Sequence, residues 1–219
     1  MSQKKFISNL LLLTFSQAFL GILQAEAGLL GDYTPSIAPV EVEQRRTIGS
    51  GSRNRCKSNL PSKSITLLVP PSEVVHQTSS PTPSLYLFSK VASSLPFKFT
   101  LVNPQVAEPL VEQTFSVEQP GIKQIKLPET TKLEEGTVYL WYVAIPCQEK
   151  EQYQEVLRAA IERVPITTKV KTQLRTAKTD QETAAIYARN GIWYEAVDRA
   201  IKDSGDYLQQ LLSTIKITS

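Results

Sequence analysis

The run Leu133–Cys147, LEEGTVYLWYVAIPC, limits the possible folds more than any other stretch of the chain. From Thr137 to Ile145, alternation puts Val138, Leu140, Tyr142 and Ala144 on one face and Tyr139, Trp141, Val143 and Ile145 on the other. A strand that is apolar on both faces is expected at the centre of a sheet, covered on each side. Just ahead of it, Leu133, Gly136 and Tyr139 have the spacing of a tyrosine corner, in which the phenol bonds back to backbone a few residues upstream. The alternative is a buried tyrosine on an ordinary strand, whose phenol needs a partner in either case.

Other strand candidates precede this one. Ser64–Val69, Ser84–Ser89 and Phe97–Val102 are short, rich in β-formers and separated by Pro and Ser clusters. Phe97, Phe99 and Leu101 alternate with Lys98 and Thr100, and Leu110–Val117 alternates in the same way, so each strand has one wet face. Pro120-Gly121 reads as a type II turn leading into Ile122–Leu127, and Val74–Gln77 offers a seventh strand. Many short strands of this kind point to a fibronectin- or immunoglobulin-like β-sandwich over residues 59–147.

At the N-terminus, Lys4 and Lys5 precede an apolar run from Phe6 to Leu23, and Ala25 and Ala27 are small residues at the positions a signal peptidase reads. Residues 1–27 are therefore expected to be a cleaved signal peptide. The polar residues Ser8, Asn9, Thr14, Ser16 and Gln17 break the run and argue against a retained anchor. The expected product is exported, periplasmic or at the cell surface, and not an integral membrane protein. Losing Lys4, Lys5 and Glu26 takes the net charge from +3 to +2, too small a surplus to imply a nucleic-acid partner. Residues 28–58 read as a flexible arm made basic by Arg45, Arg46, Arg53, Arg55 and Lys57. Such a cluster suits an acidic glycan or a lipid head group, although a solvated linker is its commoner meaning.

Cys56 and Cys147 bracket the expected sandwich, and in an exported chain an even pair is most simply a disulfide. Closing a loop of about 90 residues is worth about 4–5 kcal/mol in the chain-entropy model. The competing readings are a free thiol nucleophile, with only His76 as an imidazole base, and a metal site, which two cysteines and one histidine barely reach.

After Pro146 the composition turns to helix formers. Tyr153, Val156, Leu157, Ala160, Ile161 and Val164 form one helical stripe, and Thr168–Lys178 forms a weaker one. In Ala184–Ile201 two apolar-faced segments meet at Asn190-Gly191, where Gly191 supplies a left-handed cap, and Tyr207–Ile215 adds a last stripe. Residues 148–219 are thus expected to form a bundle of about four helices, giving an α+β chain. Tyr187, Gly191, Trp193 and Ala196 have the order found in a tetratricopeptide repeat. With a single unit, the hairpin is expected to dock on the sandwich and not to build a solenoid. Trp193 and Tyr194 either pack in that joint or stand exposed to anchor a protein partner.

Catalytic signals are sparse. A lone His76 in a Pro/Ser-rich loop is expected to be solvated, which removes histidine triads and multi-histidine metal sites. Glu134, Glu135, Glu149 and Glu151 read as solvated or dipole-complementing acids. No catalytic residue, metal or cofactor is assigned.

The basic Gly/Ser segment ending in Cys56, SITLLVP, PSLYLFS, Phe115–Leu127, LEEGTVYLWYV with Cys147, and YARNGIWYEAV together resemble a family of secreted cyanobacterial proteins catalogued as domain of unknown function 928. The likeness spans about residues 45–215, with GIWYEA its most specific part. Two positions depart from the family pattern: the Gly-rich arm reads GSGSR, and Tyr86 stands where a tryptophan is expected. The resemblance implies export and the two-part layout and assigns no substrate. The expected role is a non-catalytic binding or scaffolding module. The alternatives are a carboxylate-dependent hydrolase of envelope polysaccharide and an accessory subunit of a larger envelope or signalling complex.

Overall fold

A computed structural model describes residues 33–35, 60–61, 63–70, 74–147, 153–203 and 206–214. Among these lie eight strands and four helices: β1 (Ile65–Leu67), β2 (His76–Thr78), β3 (Ser84–Ser89), β4 (Ser93–Val102), β5 (Val111–Val117), β6 (Gly121–Lys126), β7 (Val138–Pro146), β8 (Tyr153–Arg163), α1 (Thr168–Thr176), α2 (Asp180–Arg189), α3 (Trp193–Asp203) and α4 (Asp206–Thr214). The strands form two sheets, one in the order β1-β3-β6 and the other in the order β2-β8-β7-β4-β5. The architecture is α+β.

Alternation explains the central position of β7. Its Tyr139, Trp141, Val143 and Ile145 are buried in the core with Phe97, Phe99 and Leu101 of β4 and with Leu85 and Leu87 of β3. Antiparallel neighbours close both of its edges, with Phe99 opposite Val143 on one side and Leu157 opposite Val143 on the other. The Tyr139 hydroxyl accepts a hydrogen bond from the backbone N–H of Glu134 at 3.0 Å. Leu133, 1% exposed, donates its N–H to the Pro81 carbonyl, and Arg163 Nη1 donates to the Leu133 carbonyl. Gly136 holds φ at +74° in this turn and donates its N–H to the Arg163 carbonyl, a conformation that side chains with a Cβ resist.

One expected element is corrected: Tyr153–Arg163 is the strand β8, not a helix. The run satisfies both periodicities. Leu157, Ala159 and Ile161 point to one face of a strand while Val156, Arg158, Ala160 and Glu162 point to the other. The unpaired edge of β7 decides between them, because a helix here would leave its N–H and C=O groups without partners. The expected boundary after Cys147 therefore falls between two paired strands, and β8 completes the sheet. It also pairs in parallel with β2, so that His76 lies opposite Ile161.

The Pro120-Gly121 turn, with Gly121 at φ +128°, does not close a hairpin, because it passes the chain from β5 in one sheet to β6 in the other. The expected left-handed cap is present at Gly191, φ +76°, between α2 and α3. Thr167 and Thr179 cap α1 and α2 through their side-chain oxygens. Ala184, Ala185 and Ala188 of α2, Trp193, Tyr194, Ala196, Val197 and Ala200 of α3, and Leu211 and Leu212 of α4 belong to the same core as the two sheets. Helices α2, α3 and α4 are thus continuous with the β-layers through shared apolar packing, whereas Val170 of α1 packs with Ile186 and Ile192 in a separate cluster.

Candidate functional site

Residues that sequence reading offered as an exposed anchor are buried in the joint between α3 and the sheets. Trp193 is 0% and Tyr194 3% exposed. Trp193 Nε1 donates to the Leu68 carbonyl at 2.9 Å. Trp141 Nε1 donates to the Tyr194 hydroxyl at 2.9 Å, and that hydroxyl donates in turn to the Ala160 carbonyl at 3.3 Å. Burial pushes the Tyr194 phenol upward. Of the two readings open to them, packing in the joint is the one that holds, because α3 amphipathicity turns both aromatics toward the sheets.

Two acids on α3 fasten the same joint, and neither was singled out in the sequence. Glu195 Oε1 accepts from Thr78 Oγ1 at 2.8 Å, Ser79 N at 2.9 Å, Ser79 Oγ at 3.1 Å and Ser80 N at 2.8 Å. Its Oε2 is buried and has no hydrogen-bond partner among the described residues. Burial raises the Glu195 carboxyl above the ordinary carboxylate range, against the opposing effect of the Thr78 and Ser79 donors. One turn on, Asp198 Oδ1 accepts from the Tyr86 hydroxyl and Oδ2 from Lys202, both at 2.6 Å. Burial pushes Asp198 up, but the bonds from Lys202 and Tyr86 outweigh it, and the group sits below its ordinary value. Opposite shifts on neighbouring acids are a pattern of acid–base pairs. Here the donors around them tie α3 to the β2–β3 connection and to β3.

His76 is also corrected. It lies on β2 and is 2% exposed, not solvated. Tyr33 Oη is 2.8 Å from His76 Nδ1, and the Tyr33 ring meets Trp193 edge-on with centroids 4.7 Å apart. Burial depresses the imidazole to about 4, partly offset by a bond to the Pro70 backbone.

The second site is the outward face of the five-stranded sheet. Strand register places Val138, Leu140, Tyr142 and Ala144 of β7 there, and none of these four belongs to the core cluster. Ala144 is 9% exposed, and Val138, Leu140 and Tyr142 are half-buried, so among the described residues this face is less deeply covered than the face of Trp141. The three-stranded sheet and the helices pack on the side of Trp141, leaving the other side uncovered by any of the twelve named elements. Across the middle of that face run Arg158 of β8, Tyr142 of β7, Thr100 of β4 and Glu112 of β5. The adjoining row holds Val156, Ala144, Lys98 and Thr114. Lys98 Nζ meets Glu112 Oε1 at 2.6 Å, which raises the Lys98 ammonium. Tyr153 and Val156 are 41% and 40% exposed. Arg158 is exposed and has no carboxylate partner among the described residues.

The remaining candidates are dispersed. Glu134 and Glu135 are exposed, and Glu135 pairs with Arg163 at 3.1 Å. Cys147 is buried at the exit of β7, while Cys56, Arg45, Arg46, Arg53, Arg55, Lys57, Glu149, Glu151 and the signal segment lie outside the described residues. Among the described residues no group of three His, Cys, Asp or Glu is gathered as a metal ion requires, and no helix is long and apolar enough to cross a membrane.

A scan against family models matches residues 48–213 to the Domain of Unknown Function DUF928. The chain belongs to the DUF928 family. A search of the curated proteins finds no match. The DUF928 match runs through every strand and helix up to Ser213, so β8, the α3 joint and the outward face all lie inside the family region. Alternation could have found that outward face from sequence, but the same alternation made it read as a buried one.

Proposed function

We propose that this DUF928 protein is an exported, non-catalytic binding or scaffolding module of the periplasm or cell surface, released by cleavage after Ala27. The observation that carries the reading is the outward face of β7, where Val138, Leu140 and Tyr142 are half-buried and lie between the charged flanks Arg158 and Glu162 on one side and Lys98 and Glu112 on the other. An apolar stripe with a polar rim is the composition of an interaction surface. An accessory subunit of a larger complex would use the same face. The finer architecture belongs to the proposal as well: a fibronectin- or immunoglobulin-like sandwich, a tetratricopeptide-like hairpin formed by α2 and α3, and a Cys56–Cys147 disulfide that closes the arm onto β7.

The test is site-specific photo-crosslinking in cells, with the reactive residue placed at Thr114 on the outward face or at Lys171 on α1, both exposed. Intact-mass measurement of the exported fraction reads the processing and the disulfide together. Expected are a chain beginning at Gly28, a mass 2 hydrogens below the reduced form, and adducts from Thr114 but not from Lys171. A chain retained in the cytoplasm with Met1 in place removes the export reading, and equal adducts from the two positions remove the face.

A further inference from the structure

The outward face is not a uniformly apolar surface, and its chemistry narrows what it can hold. Along β7 it presents Val138, Leu140, Tyr142 and Ala144, and the register with β8 and β4 is unbroken from Val138 to Ile145 and from Lys98 to Val102. Two phenol rings bound the useful length of this track. Tyr142 sits opposite Arg158, and Tyr153 sits opposite Pro146 just beyond the register shift after Ile145, four residues farther along β7 and about 14 Å away at the usual rise per residue. Between and beside them, side chains that donate and accept alternate with apolar ones. The row Arg158, Tyr142 and Glu112 offers a guanidinium, a phenol and a carboxylate, with Thr100, 9% exposed, between the last two on strands about 4.8 Å apart.

The charges on this face balance: Lys98 and Arg158 against Glu112 and Glu162. Charged groups are depleted from the cores of protein interfaces, so ions this close to the centre disfavour a dry protein contact. A polyanion would find as much repulsion as attraction. A hydroxyl-rich chain is matched on both counts, because its C–H faces lie on aromatic rings and its hydroxyls both donate to carboxylates and accept from guanidinium groups.

We infer that the outward face of the five-stranded sheet binds a neutral polysaccharide, laid across β7 with sugar rings on Tyr142 and Tyr153 and hydroxyls held by Arg158 and Glu112. This rests on the binding-module reading and specifies its ligand class.

The test is native affinity electrophoresis of the full chain through gels containing a soluble neutral glucan, a uronic-acid polymer or a sulfated polymer. The neutral glucan is expected to retard the protein, with little change at about 1 M salt, where the Debye length is about 3 Å. Tyr142→Ala and Tyr153→Ala should each weaken retardation about tenfold, Arg158→Gln should weaken it several-fold, and Tyr142→Phe should retain most of it. Because Tyr153 is largely exposed, its variant keeps the fold even if Tyr142→Ala does not. Retardation by the sulfated polymer alone, abolished by salt, overturns the inference and assigns binding to the basic arm. No retardation by the neutral glucan also overturns it. So does a dimer in light scattering that Tyr153→Ala dissociates, because the face then belongs to a second copy. Protein adducts at Thr114 without glucan retardation leave the binding-module reading standing and remove only the ligand class.

Discussion

Replacing Glu195 by Gln should change how stability depends on pH, in a direction the structure dictates. Oε1 of Glu195 accepts four hydrogen bonds, from Thr78, Ser79 and Ser80, whereas Oε2 is buried with no partner. Burial raises the folded-state carboxyl above its ordinary 4.5, against the opposing effect of the donors on Oε1. In the window above 4.5 the folded protein therefore holds a proton that the unfolded chain has released, and stability falls as pH rises. The contribution is fully present below the unfolded value and is lost as pH passes through the folded one. The slope within that window approaches about 1.4 kcal/mol per pH unit. Gln keeps a carbonyl for the four donors and does not titrate, so its stability relative to the native chain should improve as pH rises from about 4 toward 7. Glu195→Ala should instead cost about 2–4 kcal/mol at about pH 4, because Thr78, 0% exposed, loses its acceptor and water cannot replace it, and that cost should shrink as pH rises in parallel with the Gln protein. Urea unfolding followed by circular dichroism, at about one-unit pH steps, gives the difference between native and Gln proteins with the other titrating groups cancelled. A difference that is flat with pH, or that moves in favour of the native chain as pH rises, would refute the reasoning that burial holds this carboxyl high.

Four further expectations follow from the same packing. His76, held at about 4 by burial, contributes stability that is present above its ordinary 6.5 and lost as pH falls toward 4, a loss of about 3 kcal/mol that His76→Gln should flatten in urea titrations. Trp193→Ala should cost about 4–5 kcal/mol in denaturant unfolding, since the indole is fully buried and bonds to the Leu68 carbonyl; a cost under about 1 kcal/mol would mean the ring is not in the core. Tyr139→Phe should cost about 1 kcal/mol through the loss of the acceptor for Glu134 N–H, measured by the shift in urea midpoint at unchanged slope. Gly191→Val should lower the melting temperature and helicity at a cost of about 1–2 kcal/mol, because a β-branched residue resists φ +76°.

Much of this chain was legible residue by residue. β3 coincides with its predicted run, β7 differs from its prediction by a residue at each end, and the α2–α3 break falls at Gly191, because each is specified by neighbours in sequence: alternation, a cap, or a residue tolerant of positive φ. The α3 site was harder. Glu195 looks like an ordinary first-turn acid on an amphipathic helix, and its partners Thr78, Ser79 and Ser80 lie more than a hundred residues earlier. His76 likewise reads as a loop residue until Tyr33 and Trp193 close over it.

By itself, the sequence determined the local pieces: strands with one or two apolar faces, helices with an apolar stripe, and the glycines where the chain turns. Those properties depend on backbone geometry and side-chain spacing within a few residues. Only the tertiary structure decided between strand and helix for Tyr153–Arg163, where one pattern satisfies both periods and the open edge of β7 supplies the missing hydrogen bonds. It also decided which apolar face of β7 is buried. Alternation makes both faces apolar, but the second sheet and the helices pack on the side of Trp141, so that among the described residues the side of Tyr142 is only half-buried.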